Sequence, residues 1–545
     1  MASLKDRLSM FGVILCMFTA FCAATSYTPH IIIITADDIG YADVGFNNPD
    51  LENSPTPKMD EWARGSTVMK NYYVSPNGFS TRSALLTAKH PAVLGTQFEM
   101  QDATIPYGLD PSHKLLPEYL KTLGYACHAV GQWDLGFYSK DMLPTQRGYD
   151  TFYGSYLSFG DYNTHSAKDR AGHEGLDLHE NMKIDESEEG GFKPELYSGK
   201  AVKIIQDHDY DKPLHLYVAL QSAQIGDYNV LCNEDSSKRQ MPNFYYKKFT
   251  HIQDPVRRCY LALLSTIDTA FDEIVAALKN KMMLKNSVVI FTGTSGGPAA
   301  GQFDYNAASN FPFRGAKLTG WEGAVRGVAM VYTDRANQNH QTISNCMFHV
   351  SDWIPTLLTL YKNTTGKELS ADVFSPMYGV DQYNCMFLHQ PSKRDTVIHF
   401  LYGNSASIRT HKYKYIVNTD GKLAKMDEWY SPNSPNCSIR DNLPCNPADR
   451  ACLFDLSADP CEMHNIIDLE GESILSFIRS TITDFNETVK YDKPGKAQEE
   501  GDPVNFGYTW QSWTLSVSSA SSATSTYILA VTFFYLIFDS AFMQS

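Results

Sequence analysis

Two adjacent carboxylates, Asp37 and Asp38, close an unbroken apolar run, His30-Ile31-Ile32-Ile33-Ile34-Thr35-Ala36, and are followed by Ile39-Gly40. Paired hard oxygens of this kind suit Ca²⁺ or Mg²⁺, whose binding follows ligand charge and number. The plainer alternative is an Asp-Asp turn that caps the next element. The apolar run decides where the pair sits, because continuous β-branched residues bounded by a turn signal predict a strand buried on both faces. In open α/β sheets ligands bind at the carboxyl ends of such strands. The sequence therefore predicts a parallel sheet that holds Asp37 and Asp38 at a ligand-facing edge.

Further blocks follow in a fixed order. Pro55-Thr56-Pro57-Lys58-Met59-Asp60 leads to Glu61-Trp62-Ala63-Arg64-Gly65, then Asn71-Tyr72-Tyr73-Val74 and Ser75-Pro76-Asn77-Gly78-Phe79-Ser80-Thr81-Arg82. Val130-Gly131-Gln132-Trp133-Asp134-Leu135-Gly136-Phe137, Arg147-Gly148-Tyr149-Asp150 and Asp177-Leu178-His179-Glu180 come next. Phe311-Pro312-Phe313-Arg314-Gly315-Ala316-Lys317, Trp321-Glu322-Gly323 and Leu453-Phe454-Asp455-Leu456-Ser457-Ala458-Asp459-Pro460 complete the series. In order and spacing the chain resembles the sulfatase family, in its arylsulfatase B-like branch, from His30 to about Val489.

The resemblance implies an alkaline-phosphatase-like α/β fold, a large mixed sheet flanked by helices, with a smaller C-terminal α+β domain. It also implies a formylglycine nucleophile made from the Cys of Cys-x-Pro-x-Arg. Here Gly78 stands at the Cys, Ser80 at the Pro, and Arg82 matches. Gln132-Trp133-Asp134 stands where the family has Lys-Trp-His, and Gln224 where it has a sulfate-contacting His. Thr294 and Ser295 replace two metal ligands, while Asp37, Asp38, Arg82 and Lys317 survive as matches. No catalytic set is intact on this reading, a pseudo-sulfatase pattern, and two carboxylates with neutral hydroxyls are expected to hold Ca²⁺ weakly at best, with no other cofactor. Asp134 either joins Asp37 and Asp38 in a new acidic metal cluster or neutralises Arg82 or Lys317, a buried charge being costly without a partner. Ser75, Ser80 and Thr81 are nearby hydroxyls, but a nucleophile needs an adjacent base or metal.

Composition bounds the rest. The 545-residue chain is 43% hydrophobic, ample for a large α/β core with a second domain, and its net charge of −15 excludes nucleic acid and polybasic membrane binding. Helical periodicity is expected at Leu115 to Leu123 and Arg258 to Asn280. Domain expectations are a signal peptide over 1–26, a sulfatase-like domain over 27–395, a smaller domain over 396–495, a linker and polar spacer over 496–526 and an apolar tail over 527–545. The tail reads as a glycosylphosphatidylinositol signal with attachment near Ser519, and Asn363, Asn436 and Asn486 as glycosylation acceptors. Eleven cysteines less Cys16 and Cys22 leave nine, so one thiol is left over in an oxidising compartment. The expected protein is a secreted or cell-surface glycoprotein without sulfatase turnover that binds a glycan or a protein. The alternatives are a sulfuric ester hydrolase acting on sulfated glycans through altered chemistry, and a structural or storage surface protein.

Overall fold

A computed structural model describes residues 28–99, 102–299, 305–334, 342–370, 377–423, 445–469, 472–491 and 495–514. The leader 1–26, Asn436, Ser519 and the tail 527–545 lie outside the described residues. The apolar run is a strand, β1 (His30–Ala36), fully buried along its length. Alternate side chains feed opposite cores, as a two-residue period requires: Ile32 and Ile34 pack on one face, Ile31 and Ile33 on the other.

In chain order the other strands of this sheet are β2 (Thr67–Met69), β3 (Ala126–Gly131), β4 (Thr151–Gly154), β5 (His179–Glu180), β6 (Lys183–Ile184), β7 (Leu214–Leu220), β8 (Ser287–Gly293), β9 (Ala329–Thr333) and β10 (Thr342–Ser344). They are ordered β10-β2-β9-β8-β1-β7-β3-β4-β5-β6. The central five, β8, β1, β7, β3 and β4, are parallel, and antiparallel pairs extend the sheet at both sides. Helices cover both faces. The 26-residue helix Pro255–Asn280 opens with Pro255 at its first turn and Asp254 accepting from the amides of Val256 and Arg257. With Lys193–Asp207 it covers the Ile32 face, while Gly78–Thr87 and Trp353–Thr365 cover the other.

The smaller domain is a four-stranded antiparallel sheet, β11 (Thr396–Tyr402), β12 (Ser405–Thr410), β13 (Tyr413–Asn418) and β14 (Cys452–Asp455), with the helix Glu472–Asn486 packed on it. A buried carboxylate joins the two domains. Glu322 accepts from Lys414 Nζ at 2.9 Å, Arg409 Nη1 at 3.2 Å and the Tyr73 hydroxyl at 2.8 Å. Burial opposes its charge, but Lys414 and Arg409 hold the carboxyl well below its ordinary value.

The stretch from 496, expected as linker, is instead a strap on the α/β domain as far as Thr514. Trp510 is fully buried, donates from Nε1 to the Ala167 carbonyl at 2.9 Å, and offers its own carbonyl to His179 Nε2. Its backbone amide reaches Leu176 O at 3.0 Å, so the strap adds an edge to the hairpin of Ser166–Lys168 and Glu174–Leu176. Polar, Gly/Pro-containing composition hides such a segment, because its side-chain anchors are two tryptophans, Trp510 and Trp513, whose sockets are tertiary.

Disulfides join Cys232 to Cys259, Cys346 to Cys385 and Cys445 to Cys452, and Cys461 is also disulfide-bonded. Cys127 is the free thiol among the described residues, buried and pushed up to about 12 by burial. Asn363 and Asn486 are exposed.

Four fully buried histidines, His90, His215, His349 and His399, are held neutral by burial, the first two down to about 4. The unfolded chain protonates them near 6.5, so their contribution is complete above that pH and is lost as pH falls toward 4. Asp134, Glu462 and Asp268, raised to about 7, 8 and 6 by burial, act in the opposite sense, but they are fewer. The expected outcome is a denaturation midpoint that falls between pH 6.5 and 4.5, by about 1.4 kcal/mol per pH unit for each uncompensated imidazole. Urea titrations at pH 7.5, 6.5, 5.5 and 4.5 check this, and an unchanged or rising midpoint refutes it.

Candidate functional site

Four loops leave the carboxyl ends of four adjacent parallel strands and converge. Asp37 and Asp38 follow β1, Gln132 and Asp134 follow β3, Gln221 and Gln224 follow β7, and Thr294 and Ser295 follow β8. Gly78 begins the wholly buried helix Gly78–Thr87, whose N-cap Asn77 accepts from the Ser80 amide at 2.8 Å. That helix carries Arg82 one turn along, facing the strand ends.

Arg82 has no exposure at all. Its Nη2 donates to both Asp37 oxygens at 2.7 and 2.9 Å and to Gln132 Oε1 at 2.7 Å, while Nη1 donates to Asp134 Oδ2 at 3.0 Å. Burial alone would disfavour the guanidinium charge, but Asp37 and Asp134 outweigh it and hold the group more firmly protonated. Burial pushes the Asp134 carboxyl up to about 7, with Arg82 opposing and the Asp37 charge adding to the shift. Of the two roles open to Asp134 in the sequence, the structure realises the neutralising one.

Gly78 leaves the space that the guanidinium occupies. A Cβ built on Gly78 would lie 2.5 Å from Arg82 Nη1, 3.4 Å from Thr294 Oγ1 and 3.5 Å from Asp37 Oδ1. Ser80 points away, its hydroxyl donating to Thr96 O at 2.7 Å, and Thr81 Oγ1 accepts from the Ser75 amide. None of these three hydroxyls lines the cleft.

The second acid is also engaged. Lys317 Nζ lies 3.1 Å from Asp38 Oδ1 and 3.6 Å from Glu99 Oε1. Thr294 Oγ1 donates to Asp37 at 2.6 Å and Ser295 Oγ to Asp38 at 3.3 Å. A hard divalent ion needs several anionic oxygens turned toward one point. Here both carboxylates accept from cations and hydroxyls, a donor set that does not fit such an ion. Asp38 and Asp134 adopt left-handed backbone, φ 58° and 47°, a conformation that concentrates at built sites.

Asp37, Asp38, Gly78, Arg82, Asp134 and Lys317 form the floor of a cleft of about 470 Å³. Gln224 lines it as the sequence marked, but the walls come from segments the sequence did not mark: Ser158 to Glu174 on one side, and Ile225 to Gln240 on the other, the latter held by the Cys232–Cys259 disulfide. Glu99 was also missed. Its one signal is that a buried lysine such as Lys317 needs a nearby acid, and sequence distance conceals which.

Arg82→Ala is expected to destabilise the protein by roughly 3–5 kcal/mol, because two buried carboxylates lose their shared cation. Adding Asp134→Ala should recover part of that loss, and denaturant titration of the three proteins measures both. Gly78→Ala should also destabilise, by about 1–3 kcal/mol for overpacking, although alanine gains up to about 1 kcal/mol in helix propensity. A stabilised Gly78→Ala protein would show that Arg82 yields freely.

Comparison with known proteins follows the same lines. The profile of the family described as Sulfatase matches residues 29–363. Arylsulfatase J of Mus musculus is 32% identical over 517 residues, covering 89% of this chain and 80% of that protein. Arylsulfatase A of Homo sapiens is 26% identical over 472 residues, covering 82% and 84%. Among solved structures, Ps i-CgsB in complex with k-i-k-neocarrahexaose superposes with a TM-score of 0.69 at 20% identity, covering 88% of this chain and 97% of that one. PsFucS1 sulfatase from Pseudoalteromonas sp. does so with a TM-score of 0.62 at 18% identity, covering 91% and 97%. With its strand-end cleft and this extent of match, the chain belongs to the sulfatase family and has arylsulfatase relatives.

Proposed function

We propose that this arylsulfatase-like chain binds a ligand in its cleft without turning over sulfate esters. The observation that carries the reading is the Arg82 guanidinium standing where a side chain on residue 78 would project. Gly78 supplies no side-chain atom to act as a nucleophile, and a side chain there would have to displace Arg82 Nη1. The floor cations Arg82 and Lys317, which would otherwise receive an anion, are held by Asp37, Asp134, Asp38 and Glu99. Asp134 also brings negative charge to the floor itself. At about 4 Å and an effective dielectric of 20, two like charges repel by roughly 4 kcal/mol, enough to offset one favourable contact to a sulfate.

The names of the relatives favour a second reading: a sulfuric ester hydrolase, acting on sulfated glycans through altered chemistry. Both readings share the setting. Four disulfide-bonded cysteine pairs or half-pairs fit an oxidising compartment, and exposed Asn363 and Asn486 fit glycosylation. Attachment to a membrane through a lipid near Ser519, with a glycan or protein as partner outside the cell, belongs to the same proposal. Among the described residues no helix is long and apolar enough to cross a membrane.

Full-length purified protein incubated with 4-nitrocatechol sulfate and with N-acetylgalactosamine 6-sulfate should release no sulfate above the blank, and elemental analysis should find calcium well below one ion per chain. Sulfate release that rises in proportion to protein concentration refutes the binding reading and establishes the hydrolase.

A further inference from the structure

The cleft has a charge pattern of its own. Among its lining residues carboxylates outnumber cations two to one. The cations are moreover committed: Arg82 to Asp37 and Asp134, Lys317 to Asp38 and Glu99, and Lys168 to Glu174 at 3.7 Å. Arg170, exposed at the rim, has a partner as well. Asp161 and Asp227 add further negative charge to the two walls. A concave surface with low-dielectric walls focuses such a field, and a chain of net charge −15 reinforces it.

The remaining lining says what kind of cation fits. Phe159, Ile225 and Val230 give the walls apolar surface, which a hydrated metal ion does not use and an organic body does. Gln224 lines the cleft with a buried Oε1 that has no hydrogen-bond donor among the described residues. A buried acceptor left in this way calls for an N–H or O–H from a ligand. The volume of about 470 Å³ suits a molecule of amino-sugar to short-peptide size.

We propose that the cleft recognises an organic cation, an ammonium or guanidinium group on a partly apolar body, and excludes sulfate esters. The inference rests on the binding reading above and names the ligand class. The ammonium enters between the walls lined by Asp227 and Asp161, donates to Gln224 Oε1, and lays its carbon skeleton against Phe159 and Val230. The cation can be a free amine or the side chain of a basic peptide, and the two share this chemistry.

Calorimetric titration of the full chain tests it with spermidine, galactosamine, a lysine-rich nonapeptide, galactosamine 6-sulfate, potassium sulfate and calcium chloride. Binding of at least one amine probe is expected, weakening as salt rises, with no heat from sulfate or calcium. Tighter binding of the peptide identifies a protein source, and tighter binding of spermidine or galactosamine a free amine. Asp227→Asn and, separately, Asp161→Asn should each weaken the bound amine by about tenfold, the change produced by losing one charge contact in a cleft. The proposal is overturned if no amine binds, if galactosamine 6-sulfate binds more tightly than galactosamine, or if both variants bind the amine as the parent does. Absent amine binding with no sulfate release refutes this inference alone, whereas sulfate release refutes the binding reading beneath it.

Discussion

A guanidinium sealed from water is tolerable only when its charge is matched. Arg82 meets that condition by drawing Asp37, Gln132 and Asp134 around itself, and the loops after β1 and β3 are thereby fixed relative to one helix. The left-handed backbone at Asp134 and the bare backbone at Gly78 both follow from the same demand, since each brings an acceptor close or clears space for the group. The charges of this centre are already satisfied by one another.

The second buried charge centre does for the domains what Arg82 does for the loops. Glu322 gathers Lys414 and Arg409 from the small sheet and Tyr73 from the large domain, so that neither domain can separate without exposing an unmatched ion. Apolar contacts between Trp321 and Ile416 or Phe454 surround the junction. Removing one member of such a group costs more than the group contributes as a whole.

Much of this could be read from residue order. The isoleucine run of β1 reports a doubly covered parallel strand by its lack of alternation, and Asp37 with Asp38 marks its ligand edge, because both signals are local. Gly78, Gln132, Asp134, Gln224, Thr294 and Ser295 could be marked from sequence as residues of one site, as could the pairing of Asp134 with a buried cation. What stayed hidden depends on distant pairs. Glu99 reaches Lys317 across more than two hundred residues, the cleft walls are irregular loops without periodicity, and Trp510 gives no sign in sequence that its indole fills a socket beside Ala167.

The strap alters what kind of object the small domain is. The chain leaves the large domain near residue 395 and is fastened to it again by 495–514, so the four-stranded sheet is a closed excursion rather than an appendage on one tether. A body held at both ends cannot swing about a single hinge, and its closing loop has already lost the chain entropy that a free terminus keeps. The Trp510 of that strap also supports the hairpin that forms one wall of the cleft. The two ends of the molecule's architecture, its domain junction and its ligand wall, share one mechanical fastening.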